Sequence, residues 1–328
     1  MKKLQPIIVL AALALFAWVI AHVGVSTMAA QLKAMRVALP IVLVLSLLRL
    51  FLQSATWSAS LKGENVAVNP TRLIGVRLAS QSMGYLTVLG PVLSEPMKIK
   101  LLDTPSEPTI TATFLDTGVY WFTSVLVLIS GIACLPWIAA HSAVFHWIPV
   151  VVALVPVVFA ITRRSPILGG VAHILGKRAP SWLARAEKSE ASIRNYRFRQ
   201  PALVSRMFWI GVVCQLLIAS EVLVFLWSLH LPVHLFSVLA IEGVTRALKV
   251  ASGWIPARVG ADEGGAISAF GVVGLSPMLG LGLALTRRVR DLLWALAGIL
   301  WLAWNSRNRS PRHAINLGLT SNPSERGA

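Results

Sequence analysis

Glu95 lies four residues after Pro91 and three before Lys98, in the stretch Gly84-Tyr-Leu-Thr-Val-Leu-Gly90-Pro91-Val-Leu-Ser94-Glu95-Pro96-Met-Lys98. Asp262 and Glu263 follow a second break, Ser252-Gly-Trp-Ile-Pro256-Ala-Arg258-Val-Gly260-Ala-Asp262-Glu263. Both stretches sit among residues apolar enough to lie in a bilayer, where a carboxylate costs several kcal/mol and generally serves a function. Paired hydrophobic segments broken by Gly and Pro in two halves of a chain point to a transporter binding site. The competing reading is that these acids only cap short helices at a membrane interface.

Other charges in apolar surroundings come in pairs. Glu242 and Arg246 are four apart, with Lys249 a turn further on the same face. Arg287 and Asp291 are four apart and Arg288 and Asp291 three apart, so each can meet across a helical turn. Arginines lining a cavity would bind phosphate bidentately. The alternative is a salt bridge that packs helices, with the remaining side chains snorkelling to the interface. Glu221 lies deep in an apolar run with no partner on its own helix. Arg49, Asp116 and Arg206 stand nearer span ends and are expected to snorkel.

The elements that position these residues follow from composition. Of the 328 residues 56% are hydrophobic and 13% charged, with a mean hydropathy of +0.71. That balance excludes an ordinary soluble domain. The net charge of +17 could suggest nucleic acid, but the basic residues cluster between apolar runs and in the tail. Cytoplasmic loops facing anionic lipid explain them better, so no nucleic-acid partner is expected. Apolar runs at about 6–25, 38–56, 113–135, 147–162, 203–229 and 278–304 give about six transmembrane spans. The first is too long for a signal peptide and lacks a small-x-small cleavage site. Trp57, Trp121, Trp137, Trp147, Trp227, Trp301 and Trp304 fall toward span ends, as interfacial rings do. Cys134 and Cys214 lie inside apolar runs and read as small buried hydrophobes.

Charge decides the topology. Residues 163–200 hold nine Lys/Arg against two Glu and belong in the cytoplasm, whereas 137–147 and 230–235 hold no Lys or Arg and belong outside. Lys2 and Lys3 put the N-terminus inside, and a basic tail at 306–328 puts the C-terminus there too. These placements agree only if about 73–102 and 236–275 enter and return from opposite faces. The first would turn at Gly90-Pro91 and the second between Pro256 and Gly260. The expected fold is therefore all-α and polytopic, with six spans and two inverted re-entrant hairpins in one domain over 1–305. Ser94 is the expected N-cap ahead of Pro96, and Asp262 and Glu263 start the helix running on through Phe270. Hairpins entering from opposite faces would bring Glu95 and Glu263 to one central cavity.

Enzyme signatures are absent: there is no Gly-rich phosphate loop, no HExxH and no Gly-x-Ser-x-Gly. Neither His141 with His146 nor His230 with His234 has good metal spacing. No metal, cofactor or catalytic residue is expected, although adjacent Asp262 and Glu263 could in principle hold a metal for lipid-linked transfer.

The pattern Ile255-Pro256-x3-Gly260-x2-Glu263-Gly264, followed by a Gly/Leu-rich run, Ala-Leu-x-Arg and a final Trp-rich span, resembles the flippase-like transmembrane region of lysylphosphatidylglycerol synthases and their stand-alone relatives. Gly90-Pro91-x3-Glu95-x2-Lys98 is similar to that family's first signature, with Ser94 in place of Gly and Lys98 in place of the usual Arg. The resemblance covers roughly residues 5–305. It implies a bacterial inner-membrane protein that moves a lipid, or a lipid-linked precursor, between leaflets. Family members accompany phospholipid aminoacylation, polyprenyl-linked glycan assembly or hopanoid synthesis, and fused members carry a soluble catalytic domain. Here the chemistry would belong to a separate lipid-synthesising enzyme, and the partner of this chain would be an anionic, polyprenyl or hopanoid lipid. The residues expected to handle it are Glu95, Lys98, Glu242, Arg246, Arg258, Asp262, Glu263, Arg287, Arg288 and Asp291. Two other classes stay open: a non-transporting scaffold for a lipid-modifying enzyme, and a membrane-embedded transferase.

The charge asymmetry predicts a labelling pattern. A cysteine placed at Ala179 should react with an impermeant maleimide only from the cytoplasmic side, and one at Ser142 only from outside. Labelling of residue 179 in intact cells would overturn the re-entrant arrangement.

Overall fold

A computed structural model describes residues 36–86, 90–102, 107–138, 199–231, 234–252 and 260–308. The expected spans at 6–25 and 147–162, most of the basic loop, the tail from 309, Pro256 and Arg258 lie outside the described residues. Every regular element described is a helix: α1 (Ala38–Gly63), α2 (Pro70–Leu86), α3 (Gly90–Leu102), α4 (Glu107–Ile138), α5 (Pro201–Ser228), α6 (Leu235–Ala251), α7 (Ala261–Val272) and α8 (Pro277–Asn308). Three are long and apolar enough to cross a membrane: α1, residues Glu107–Leu135 of α4, and α5. The 32 residues of α8 are also sufficient in length, but its middle carries Arg287, Arg288, Arg290 and Asp291.

The long helices have their polarity turned inside out relative to a water-soluble protein. On α1, Val44, Leu48 and Phe51 are exposed, while Ser46, Gln53, Ser54, Thr56 and Ser60 are buried. On α5, Trp209, Leu216 and Trp227 point outward, while Gln215 and Glu221 are buried. Buried polar groups under an apolar exterior identify lipid as the surrounding solvent. The inward hydroxyls are satisfied locally. Ser54 donates to the Leu50 carbonyl at 2.8 Å and Ser60 to that of Trp57 at 2.9 Å.

The short helices form two packed pairs, α2 with α3 and α6 with α7. The first pair parts at 87–89, just before Gly90-Pro91, where the sequence placed a break. Ser94, however, is not an N-cap. Helix α3 already starts at Gly90 and runs through Pro96, because a proline in a first turn sacrifices no intrahelical hydrogen bond and so Pro91 can begin the helix. The second pair is separated by residues 252–260, and α7 starts after Gly260, whose φ of 80° is a left-handed conformation natural to glycine.

The first four described helices and the last four repeat one pattern of long helix, two short helices, long helix. Helices α2 and α6 both have 17 residues, and α4 and α8 both have 32. Helices α1 and α5 end alike, with Asn65 and His230 in left-handed conformations. In both ends the following amide reaches back to close a Schellman turn, Val66 to the Leu61 carbonyl and Leu231 to that of Leu226. Each short pair packs across the repeat as well: α6 lies on α4, and α2 lies on α8. Glycines allow both approaches. Gly131 of α4 meets Gly243 of α6, and Gly75 of α2 lies under Trp301 of α8. Small residues are the means by which helices come close in lipid, where no hydrophobic force drives them together.

A methyl group on Gly243 would stand 2.8 Å from the Gly131 Cα, backbone against backbone. Gly243→Ala should therefore destabilise the protein by about 1–3 kcal/mol, read as a lower melting temperature in detergent. Gly118→Ala, which meets nothing within 4 Å, should leave it unchanged or raise it. Equal melting temperatures would rule out the α4–α6 contact.

Candidate functional site

The charges of α8 organise the second half. Arg287 donates from Nε to Glu221 Oε2 of α5 at 3.2 Å and from Nη2 to Glu242 of α6 and to the Ile218 carbonyl, the last at 3.3 Å. Arg290 donates to Glu221 through Nη1 and to its neighbour Asp291 at 2.8 Å. Arg287 thus turns to carboxylates on other helices and not to Asp291. Glu221, expected to lack a partner on its own helix, is shared by two arginines from another. Helix α8 packs on α7 and α2, and the long side chain of Arg287 reaches the carboxylates of α5 and α6.

Arg246 keeps the in-helix pairing its spacing predicts, donating from Nε to Glu242 Oε2 at 3.3 Å. It also reaches Ser124 of α4 and Gln215 of α5, each at 2.7 Å through Nη1. Arg288 donates to Glu263 of α7, at 2.8 Å to Oε1 and 3.0 Å to Oε2. Glu263 does two jobs, because its Oε2 also accepts the Gly260 amide at 2.9 Å. Capping and ion pairing are not alternatives at this residue. A carboxylate three residues into a helix can satisfy an orphan amide and still present its second oxygen.

Between these helices lies a small, open-mouthed cavity. Thr245 and Lys249 line it from α6, Asp262 from α7, and Arg287, Arg288 and Asp291 from α8. The structure therefore gathers seven of the expected residues, Glu242, Arg246, Asp262, Glu263, Arg287, Arg288 and Asp291, around one stretch of α8. Arg258 lies outside the described residues.

Glu95 and Lys98 belong to a different cluster, in the first half. Lys98 donates to Glu95 Oε1 at 2.8 Å, and Thr117 of α4 donates to Glu95 Oε2 at 2.8 Å. Nearby Arg77 of α2 is paired with Asp116 of α4, and both are buried. Asp116 does not snorkel, because α1 and α2 cover it and Thr56 donates to its second oxygen at 2.6 Å. Trp57 is no interfacial ring either. It is fully buried, its Nε1 donates to Thr113 at 3.2 Å, and Arg77 and Lys98 lie 5.6 and 5.9 Å from its ring centre. Trp121, Trp227 and Trp304 are exposed, as an interfacial role requires. Among the described residues no three His, Cys, Asp or Glu side chains gather as metal ligands would, and Cys134 and Cys214 are buried free thiols.

Residues 6–298 match the family model described as the lysylphosphatidylglycerol synthase TM region. Comparison with curated proteins and with solved structures gave no match. The family match and the long apolar helices together make this a membrane protein with a lipid-related role.

Because Glu221 is the one carboxylate that Arg287 and Arg290 share, Glu221→Gln should take one of two carboxylate partners from each of two buried cations. The expected loss is about 1–3 kcal/mol, below the cost of leaving a buried charge with no partner. Changing Asp291, which touches Arg290 but not Arg287, to Asn should cost less than Glu221→Gln. Thermal unfolding in detergent compares the two, and equal effects would contradict the shared role of Glu221.

Proposed function

The chain belongs to the lysylphosphatidylglycerol synthase transmembrane-region family, and from that premise we propose that it translocates a lipid, or a lipid-linked precursor, between the leaflets of the bacterial inner membrane. One observation carries the reading. The cavity between α6, α7 and α8 presents Lys249, Arg287 and Arg288 together with Asp262 and Asp291, in a part of the chain otherwise apolar enough for lipid. Such a lining suits a phosphate-bearing head group, since guanidinium forks match phosphate oxygens and stay protonated when buried. The adjacent carboxylates keep those cations affordable in the absence of ligand. Arg287 is held between Glu221 and Glu242 and shapes the site, so Arg288 is the better candidate to greet a head group, with Glu263 as its positioning partner.

In the proposed topology α1, α4, α5 and α8 span the membrane together with 6–25 and 147–162, and both termini are cytoplasmic. The pairs α2/α3 and α6/α7 are the re-entrant hairpins. Their helices of 17, 13, 17 and 12 residues are about 18–26 Å long at 1.5 Å per residue, short of a hydrocarbon core of about 30 Å. The chain itself performs no covalent chemistry; a separate lipid-synthesising enzyme supplies the lipid. The extensive internal pairing of the charges favours a second reading, a membrane subunit that holds such an enzyme and moves nothing.

Reconstituted vesicles separate the two. Arg288→Gln should cut movement of a labelled anionic phospholipid by about tenfold or more, the scale of one lost charge-assisted contact, and Arg288→Lys should restore part of it. Glu263→Gln should slow movement in a protein that still folds and inserts. If the parent protein moves no more lipid than protein-free vesicles, or all three variants match the parent, the scaffold reading replaces the translocase.

A further inference from the structure

The two halves share a buried triad with its donor and acceptor roles reversed. Thr56 lies seven residues before the end of α1, and Glu221 seven before the end of α5. Arg77 and Glu242 are each the eighth residue of their short helix, while Asp116 is the tenth of α4 and Arg287 the eleventh of α8. In the first half the acid Asp116 accepts from Thr56 and Arg77; in the second the base Arg287 donates to Glu221 and Glu242. Position and connectivity are preserved while polarity is swapped. Each triad also borders a cavity. The first, small and open-mouthed, is lined by Gln53, Thr56, Arg77, Asp116 and Tyr120, with an apolar wall that includes Met207 and Cys214.

We propose that this first cavity is a second binding site, for a phosphate oxyanion, besides the cavity at Arg287 and Arg288. It rests on the translocase reading only for the expectation that the phosphate belongs to a lipid head group. The donors argue for an acceptor ligand. Thr56 and Arg77 each donate to one oxygen of Asp116, and Arg77, Gln53 and Tyr120 are the lining groups with donors still to offer. Arg77 is 4% exposed, and its Nε is buried without a hydrogen-bond partner. An orphaned guanidinium N–H is costly in an interior and is normally answered by an acceptor. Gln53 beside it accepts from Gln81 at 3.5 Å and has amide protons to add, as Tyr120 has a hydroxyl. Arg246 of the second half likewise keeps a buried Nη2 with no partner.

Native mass spectrometry of the full chain in detergent tests this by counting bound short-chain phosphatidylglycerol, with inorganic phosphate as a parallel probe. Arg77→Lys keeps a cation for Asp116 but removes the Nε–H; Gln53→Leu removes the amide and keeps the volume. Each should lose one bound equivalent while Arg288→Gln loses another, and Arg77→Lys with Arg288→Gln should lose both. Loss of the lipid alone identifies a head-group site, and loss of phosphate identifies a free-anion site; both support the proposal. Unchanged occupancy for both probes in Arg77→Lys and Gln53→Leu overturns it. Because the count needs no transport, a parent protein that binds but moves nothing would sink the translocase reading and leave this site standing.

Discussion

A charge within a bilayer has to find its counter-charge inside the protein, and the placement of most helices here answers that demand. Three arginines and an aspartate occur within five residues of α8, and each arginine left unpaired near mid-membrane would cost about 2.5–3.5 kcal/mol or more. Glu221, Glu242 and Glu263 come from α5, α6 and α7 to meet them. These pairs fix the rotation of four helices about their axes, because only one face of each can bring its carboxylate to α8. Buried pairs add little net stability compared with well-packed apolar residues. What they supply here is a particular arrangement, together with a polar cavity that an apolar contact could not provide.

Helix contacts not set by charge are set by small residues. Lipid tails are as apolar as the outer faces of α1 and α5, so burying leucine gives these helices no reason to associate. Gly131 against Gly243 and Gly75 against Trp301 let backbones and rings approach closely enough for dispersion to act. Short side-chain hydrogen bonds complete the contacts, such as Trp294 Nε1 to Ser46 at 2.9 Å between α8 and α1. Each short pair is consequently wedged between a long helix of its own half and one of the other half.

The reversed triads show what an interior of this kind conserves within one chain. Asp116 accepts from Thr56 and Arg77 where Arg287 donates to Glu221 and Glu242, yet both sets tie a first long helix, a first short helix and a last long helix together. Complementarity is the requirement; the sign at any one position is free so long as its partners change with it. A cavity beside each triad is then a natural consequence, since bulky paired side chains hold three helices apart at that level.

Composition and pattern were enough to determine the class of molecule, the three long apolar helices α1, α4 and α5, the break just before Gly90-Pro91 and the segments that carry buried charge. These properties are sums or local sequence features: hydrophobicity adds residue by residue, and proline and glycine act on their own backbone. The in-helix pair of Glu242 and Arg246 was legible for the same reason. Asp116, Trp57, Ser94 and the partners of Arg287 were not. Spacing along one helix says which side chains can meet within it, but not which face a neighbouring helix will cover. That face is chosen by glycine contacts and carboxylates dozens to hundreds of residues away. Only the tertiary structure could therefore turn an apparent snorkelling aspartate into the buried partner of Arg77, and a carboxylate with no partner on its own helix into the shared anchor of two arginines.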